Sequence, residues 1–148
     1  MEAQTTVLTV EELQGLIGIK GFIGRAIAKF LSKLLSLDEV NRMQNLYRDS
    51  FGPEFSRHVL EECGISWDVP EKQLANIPAE GGFITISNHS YGAVDGMLLS
   101  HLVGSRRPDY KILTTFLLSR IPSLKDSFLA VDNFSSGGAR SIQGIRQA

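Results

Sequence analysis

The sequence predicts an α/β protein in which N-terminal helices precede the first half of a mostly parallel sheet flanked by helices. Three observations carry this. Between residues 22 and 63 apolar side chains recur at three- and four-residue steps, the period of a helix with one buried face. After Gly64 the period changes to short apolar runs, as in ISWDV (65–69) closed by Pro70, FITIS (83–87) introduced by Gly81-Gly82, and FLAV (128–131). A helical stretch from Ala93 to Val103 separates such runs, and strands alternating with helices pair in parallel.

The elements follow in order. FIGRAIAKFLSKLLS (22–36) places Ile23, Ile27, Phe30, Leu31, Leu34 and Leu35 at helical spacing, while Arg25, Lys29 and Lys33 recur every fourth position on another face. This basic amphipathic helix serves either as a core helix or as one lying on anionic lipid. Gly18, Gly21 and Gly24 weaken helix ahead of it and suit a hinge. Ser36-Leu37-Asp38-Glu39 fits a capping box for a second helix through Val40, Met43, Leu46 and Tyr47, which Gly52-Pro53 breaks. A third helix starts at Pro53 and runs through Phe55, Val59, Leu60 and Cys63 to Gly64. ISWDV (65–69) reads as a short strand, EKQLANI as a short helix or turn, and FITIS (83–87) as a buried strand. Lys111 to Thr115 and Phe128 to Val131 are further strands, with SRIPSL (119–124) a turn or short helix between them. Residues 1–52 form an N-terminal helical region and residues 53–148 the start of the α/β domain.

Composition narrows the function classes. The chain has 148 residues, 43% of them hydrophobic, enough for one domain with a core. A net charge of −1 gives no overall attraction to nucleic acid. Charge is uneven: Glu54, Glu61, Glu62, Asp68, Glu71 and Glu80 make the middle acidic, and Arg106, Arg107, Lys111, Arg120, Lys125, Arg140 and Arg146 make the last third basic. The single cysteine, Cys63, forms no internal disulfide, and the N-terminus lacks a signal-peptide pattern, so the expected compartment is the cytoplasm. No apolar run is long enough to span a bilayer, which confines membrane contact to a surface. SIQGIRQA at the end reads as the opening of a helix without a stop signal, so a fragment is expected.

The stretch SNHSYGAVDGMLLSHL (87–102) is the densest in chemistry. His89 follows a strand and Asp95 falls in the first turn of the next helix, where open α/β sheets gather ligands and reactive groups. Ser90, Gly92 and Ala93 keep the connection small, so the carboxylate can accept the imidazole Nδ1–H and leave the other nitrogen as a base. Spacing alone leaves alternatives open. An acid in the first turn is favoured by the helix dipole, and Asn88-His89 can simply satisfy backbone groups at a strand end.

IPAEGGFITISNHSYGAVDGMLL resembles the first block of the glycerolipid and lysophospholipid acyltransferase superfamily, where a strand ends in Asn-His and an Asp follows in the next helix. Five residues, Ser90 to Val94, separate His89 from Asp95 in place of the usual four. This spacing is similar to the hemolysin-like branch, which includes bacterial lyso-ornithine-lipid and related lyso-aminolipid O-acyltransferases. LDEVNRMQNLYRD, GISWDV and NIPAEGGF resemble the lead-in of that branch, and FLAVDNFSS (128–136) its second block, with Asn133 standing where many members carry Arg. The resemblance covers residues 37–148 and implies a truncated acyltransferase-like fold.

It further implies that a fatty acyl group moves from a thioester to the hydroxyl of a lyso-lipid, a lyso-aminolipid or lysophospholipid. His89 would be the general base and Asp95 its partner, with Asn88, Ser90, Gly92 and Asp132 toward the substrate. The donor would be a thioester of acyl carrier protein or coenzyme A, with no bound cofactor and no metal. The protein would act at the inner face of the cytoplasmic membrane, met by Arg25, Lys29 and Lys33, and not on nucleic acid. Residues 1–148 alone would lack turnover and self-associate, because later blocks of the family have no counterpart here. The competing expectation is a membrane-surface lipid-binding protein of the same fold without chemistry. A serine or cysteine hydrolase finds little support, since there is no Gly-x-Ser-x-Gly elbow.

Other candidates read as structural. His58 and Glu62 have metal-capable i, i+4 spacing but no third ligand, which favours a surface charge pair. His101 reads as a partly buried helix residue, Cys63 as a small packing group, and Gly137-Gly138 as a loop.

Overall fold

The computed structural model describes residues 6–131. Seven helices lie in this span: α1 (Val10–Ile17), α2 (Gly21–Leu34), α3 (Leu37–Leu46), α4 (Gly52–Glu62), α5 (Glu71–Leu74), α6 (Ala93–Gly104) and α7 (Phe116–Ser119). They accompany two strands, β1 (Ile112–Thr114) and β2 (Phe128–Ala130), and a 3₁₀ turn at Pro122–Leu124. β1 and β2 pair in parallel with Ile112 opposite Phe128, so the fold is mixed α/β as the sequence predicts. The crossover between them carries α7 and the 3₁₀ turn, the long connection that parallel pairing demands.

The main core joins these layers. Phe55 and Leu60 of α4, Met97 of α6, Ile121, Leu124 and Phe128 of β2 are buried together with Val7. Two polar pairs cross it: Ser56 and Ser100 Oγ atoms lie 2.9 Å apart between α4 and α6, and Gln44 holds Ser123 through two hydrogen bonds. A smaller cluster of Leu8, Leu13, Ala28 and Leu37 packs α1 onto α2 and the start of α3.

The face that α2 buries is its small one. Gly24 and Ala28 are buried, and a Cβ on Gly24 would stand 1.8 Å from the Ile19 carbonyl oxygen. Phe22, Ile23, Phe30 and Leu34 are instead exposed, Phe22 at 88%. The apolar stripe read from the sequence is therefore split: Ile27 and Leu31 are half-buried, Leu31 against the smaller cluster, and the rest turns outward.

Several expectations need correction. FITIS has no regular secondary structure and is not buried: Ile84 is 90% and Ile86 94% exposed. An apolar run becomes a strand only when a neighbouring backbone takes its N–H and C=O groups, and among the described residues none does. ISWDV is likewise irregular, although Ile65 and Trp67 pack on the core. Ser36 makes no capping box. It ends α2 in the left-handed region at φ 50°, which denies it the extended conformation of an N-cap, and Glu39 binds Arg42 instead. Helix α1 was not foreseen, though Thr9 and Glu12 form the reciprocal capping box that T-V-E-E encodes.

His58 and Glu62 do not pair. His58 accepts from Arg57 through Nε2 at 2.8 Å, faces Ser50 through Nδ1 and stacks on Tyr47. Glu62 takes Arg42 and the Tyr47 hydroxyl, and these two bonds hold its carboxyl below the usual carboxylate range. Cys63 caps α4 beyond its buried stripe and is exposed rather than packed.

Candidate active site

The irregular segment 82–89 feeds α6 through a turn that Gly92 makes. Its φ of 60° and ψ of −123° belong to a region that residues with a Cβ avoid. The turn folds the chain back so that the Tyr91 amide donates to Asp95 Oδ2 at 3.0 Å. The carboxylate thereby satisfies an amide at the positive end of the helix dipole.

His89 Nδ1 faces the same oxygen at 3.5 Å. That is beyond the roughly 2.7–3.2 Å of a formed N–H···O bond, so the two groups are neighbours without a hydrogen bond between them. The Asp95 side chain is 16% exposed and the His89 side chain 73%. A carboxylate on the Nδ1 side favours the tautomer with the proton on that nitrogen, in which Nε2 is the basic one.

Both side chains line an open groove of about 1080 Å³. Gly92 also lines it, as do Thr114 of β1 and the apolar Val7, Leu37, Ile121 and Phe128. Leu35, at the junction of α2 and α3, lines it too, so the groove is shared between the His–Asp pair and the end of the outward-facing apolar helix. Its lining is mostly apolar, which suits an acyl chain, and it also carries polar and charged groups from residues 85–95 and from residues 107–115.

The remaining predicted residues lie as follows. Asn88 and Ser90 are exposed on the same segment and do not line the groove. Asp132, with Asn133 and Gly137-Gly138, lies outside the described residues. Arg25 is exposed and paired with Glu11 at 3.1 Å, while Lys29 and Lys33 are exposed on α2. His101 is partly buried on α6 as expected, edge-on to Trp67 at 5.0 Å, and burial pushes its pKa below the ordinary histidine value. No group of three or more His, Cys, Asp or Glu able to hold a metal occurs among the described residues. No helix among them is long and apolar enough to cross a membrane.

Sequence reasoning missed Arg107, Tyr110 and Thr85, which hold the segment ahead of His89. The only signal available was Arg107-Pro108-Asp109, a charge pair around a proline just past a helix.

A mixed α/β fold with a His–Asp pair where an irregular segment meets a helix defines the class of site. The chain is similar to the lyso-glycine lipid O-acyltransferase of Bacteroides thetaiotaomicron, 31% identical over 91 residues, a match covering 62% of this chain and 32% of that protein. It is also similar to the lyso-glycine lipid O-acyltransferase of Phocaeicola vulgatus, 26% identical over 83 residues, covering 56% of this chain and 29% of that one. The matches therefore span about a third of the length of these curated relatives. No protein-family model and no solved structure matches the chain. The relationship is to O-acyltransferases named for a lyso-lipid acceptor.

Proposed function

We propose that this chain carries the base of an O-acyltransferase that moves a fatty acyl group from a thioester to the hydroxyl of a lyso-lipid. The observation that carries the reading is the proximity of His89 to Asp95 on a mostly apolar groove, in a chain similar to two lyso-glycine lipid O-acyltransferases. A hydroxyl is a weak nucleophile near neutral pH. Nε2 of His89 takes its proton as the oxygen attacks the thioester carbonyl, and Asp95 holds the tautomer and stabilises the imidazolium. The C–S bond then breaks, and the thiol leaves with the proton returned from His89. Asn88, Ser90, Gly92 and Asp132 belong to the substrate side of this reading.

The donor is a thioester of acyl carrier protein or coenzyme A, and the acceptor a lyso-aminolipid or lysophospholipid. In this reading residues 1–52 meet the inner face of the cytoplasmic membrane, and residues 53–148 begin the acyltransferase-like domain. The outward apolar face of α2, edged by Lys29 and Lys33, supports that placement, and Leu35 links it to the groove.

The test is acyl transfer to lyso-glycine lipid and to lysophospholipid in the protein as its gene encodes it, with and without His89→Ala. Loss of about 10²–10⁴-fold with the fold retained is expected. An unchanged rate would overturn the assignment. Vesicle binding without His89-dependent turnover would favour a lipid-binding protein instead, and fatty acid released without acceptor would indicate a hydrolase.

A further inference from the structure

Arg107, just past α6, is only 8% exposed and is held by polar partners and an aromatic ring. Its Nε and one Nη donate to the Asp109 carboxylate at 2.9 and 2.8 Å. The other Nη donates to the Pro78 carbonyl at 2.8 Å, and the Nη shared with Asp109 also donates to the Gly81 carbonyl at 3.0 Å. The guanidinium carbon lies 4.8 Å from the centre of the Phe83 ring. Phe83 in turn stacks on Tyr110 at 5.9 Å, and the Tyr110 hydroxyl hydrogen-bonds Thr85. Residues 107–110 thus grip the chain from Pro78 to Thr85 by its carbonyls, a ring and a hydroxyl.

This grip matters because the segment it holds has no backbone ladder among the described residues. Ile84 and Ile86 point away from any core, so burial does not fix the path either. The gripped stretch ends four residues before His89, and the Tyr91 amide on Asp95 ties the chain two residues after it. His89 is therefore suspended between two anchors, only one of which is the carboxylate it faces.

We propose that Arg107 is a positioning residue that fixes the course of residues 83–89 and so the imidazole of His89 against Asp95. The proposal deepens the acyltransferase reading, since it concerns the same pair. Lysine cannot take the place of Arg107, because a single ammonium cannot chelate a carboxylate, reach two carbonyls and stack on Phe83 at once.

The experiment uses the isotopically labelled full chain and its R107K, R107A, Y110F and D95N variants. Two readouts are taken by NMR: ¹H–¹⁵N heteronuclear NOEs along residues 83–89, and the Nδ1–H tautomer fraction of neutral His89 from its ring ¹⁵N shifts. In the wild type the NOEs of 83–89 should approach those of α6, and the Nδ1–H fraction should exceed that of D95N. R107K and R107A should lower the NOEs and remove about half or more of that excess while α4 and α6 keep theirs. Y110F should act in the same direction more weakly.

Wild-type values in both Arg107 variants would overturn the proposal, as would a wild-type tautomer no different from D95N. Loss of the α4 and α6 signals in R107K as well as R107A would also overturn it, by making Arg107 a residue of the whole fold. None of these readouts needs turnover. A D95N protein that shifts the tautomer yet keeps full acyl transfer would defeat the acyltransferase reading and leave the positioning by Arg107 standing.

Discussion

His89 Nδ1 lies 3.5 Å from Asp95 Oδ2, and the same oxygen accepts the Tyr91 amide at 3.0 Å. One atom thus satisfies the backbone that enters α6 and faces the imidazole. The two roles separate by substitution. Asp95→Ala removes both and should cost about 0.5–1.5 kcal/mol, the net worth of one hydrogen bond. Asp95→Asn keeps an amide oxygen for Tyr91 and should cost less, while still removing the charge that would stabilise an imidazolium. Urea midpoints should therefore rank wild type, Asn, Ala, whereas acyl transfer should fall in both variants. Retained transfer in Asp95→Asn would reduce Asp95 to a brace of the turn before α6.

Gly92 makes the turn between the two halves of that pair. A Cβ there meets nothing within 4 Å, so the cost of Gly92→Ala is conformational alone. Holding alanine at φ 60° and ψ −123° should destabilise by about 1–3 kcal/mol, or the turn should relax and release the Tyr91–Asp95 bond. A urea titration reads the first outcome and the Tyr91 amide shift the second. No change in either would show that the turn does not need glycine.

Much of this was legible in the sequence because it is local. The runs 111–115 and 128–131 pair across a single crossover, and the period of 22–36, the Gly-Pro start of α4 and the course of α6 all depend on neighbours a few residues away. The same is true of the turn that brings Asp95 under His89. What failed depends on distant partners or on competition. FITIS carries strand composition but no backbone among the described residues pairs with it. Ser36 has the chemistry of an N-cap but is committed to ending the previous helix. The direction of α2's apolar stripe was undecidable from period alone, because Gly24 and Ala28 form a second face narrow enough to pack on α1. Arg107 looked like one more basic residue, since its partners at Pro78 and Gly81 lie more than twenty residues away.

Gln44 and Ser123 tie α3 to the 3₁₀ turn across 79 residues of sequence. Gln44 Nε2 donates to Ser123 Oγ at 3.0 Å, and the Ser123 amide donates to Gln44 Oε1 at 3.2 Å, both residues being buried. Gln44→Met has similar volume and leaves the Ser123 amide without a partner in the interior. The expected loss is about 1–3 kcal/mol in chemical unfolding, with α3 remaining helical. A loss within experimental scatter would mean that water replaces the side chain.

His101 gives the fold a pH dependence of definite sign. Burial beside Trp67 lowers its pKa; Arg57 adds to this, while the Pro53 carbonyl and Glu61 oppose it. The unfolded chain then binds the proton more readily than the folded one. The contribution of the neutral ring is full above the ordinary histidine value and is lost as pH falls toward the lower folded value. Unfolding midpoints measured from pH 7.5 down to 5 should decline, and His101→Leu should flatten that slope. An identical slope in the variant would assign the decline to other groups.

The outward face of α2 carries the membrane proposal, and its two halves can be tested apart. Phe22 and Phe30 offer apolar area, each worth about 1.5–3 kcal/mol when taken out of water, while Lys29 and Lys33 offer charge worth about 1 kcal/mol each at an anionic surface. Arg25 already pairs with Glu11, so its reversal should matter less than theirs. In sedimentation with phosphatidylglycerol vesicles, Lys29→Glu with Lys33→Glu should weaken binding by at least about 10-fold. Raised salt should weaken the wild type and, by screening repulsion, strengthen the residual binding of this variant. Phe22→Ser with Phe30→Ser should weaken binding at all salt concentrations, and on neutral vesicles as well. Because Gly24 and Ala28 hold α2 to α1 from the other side, neither variant should disturb the smaller core, which circular dichroism can verify. Binding that survives both double substitutions would place the membrane contact, if the protein has one, elsewhere than on α2.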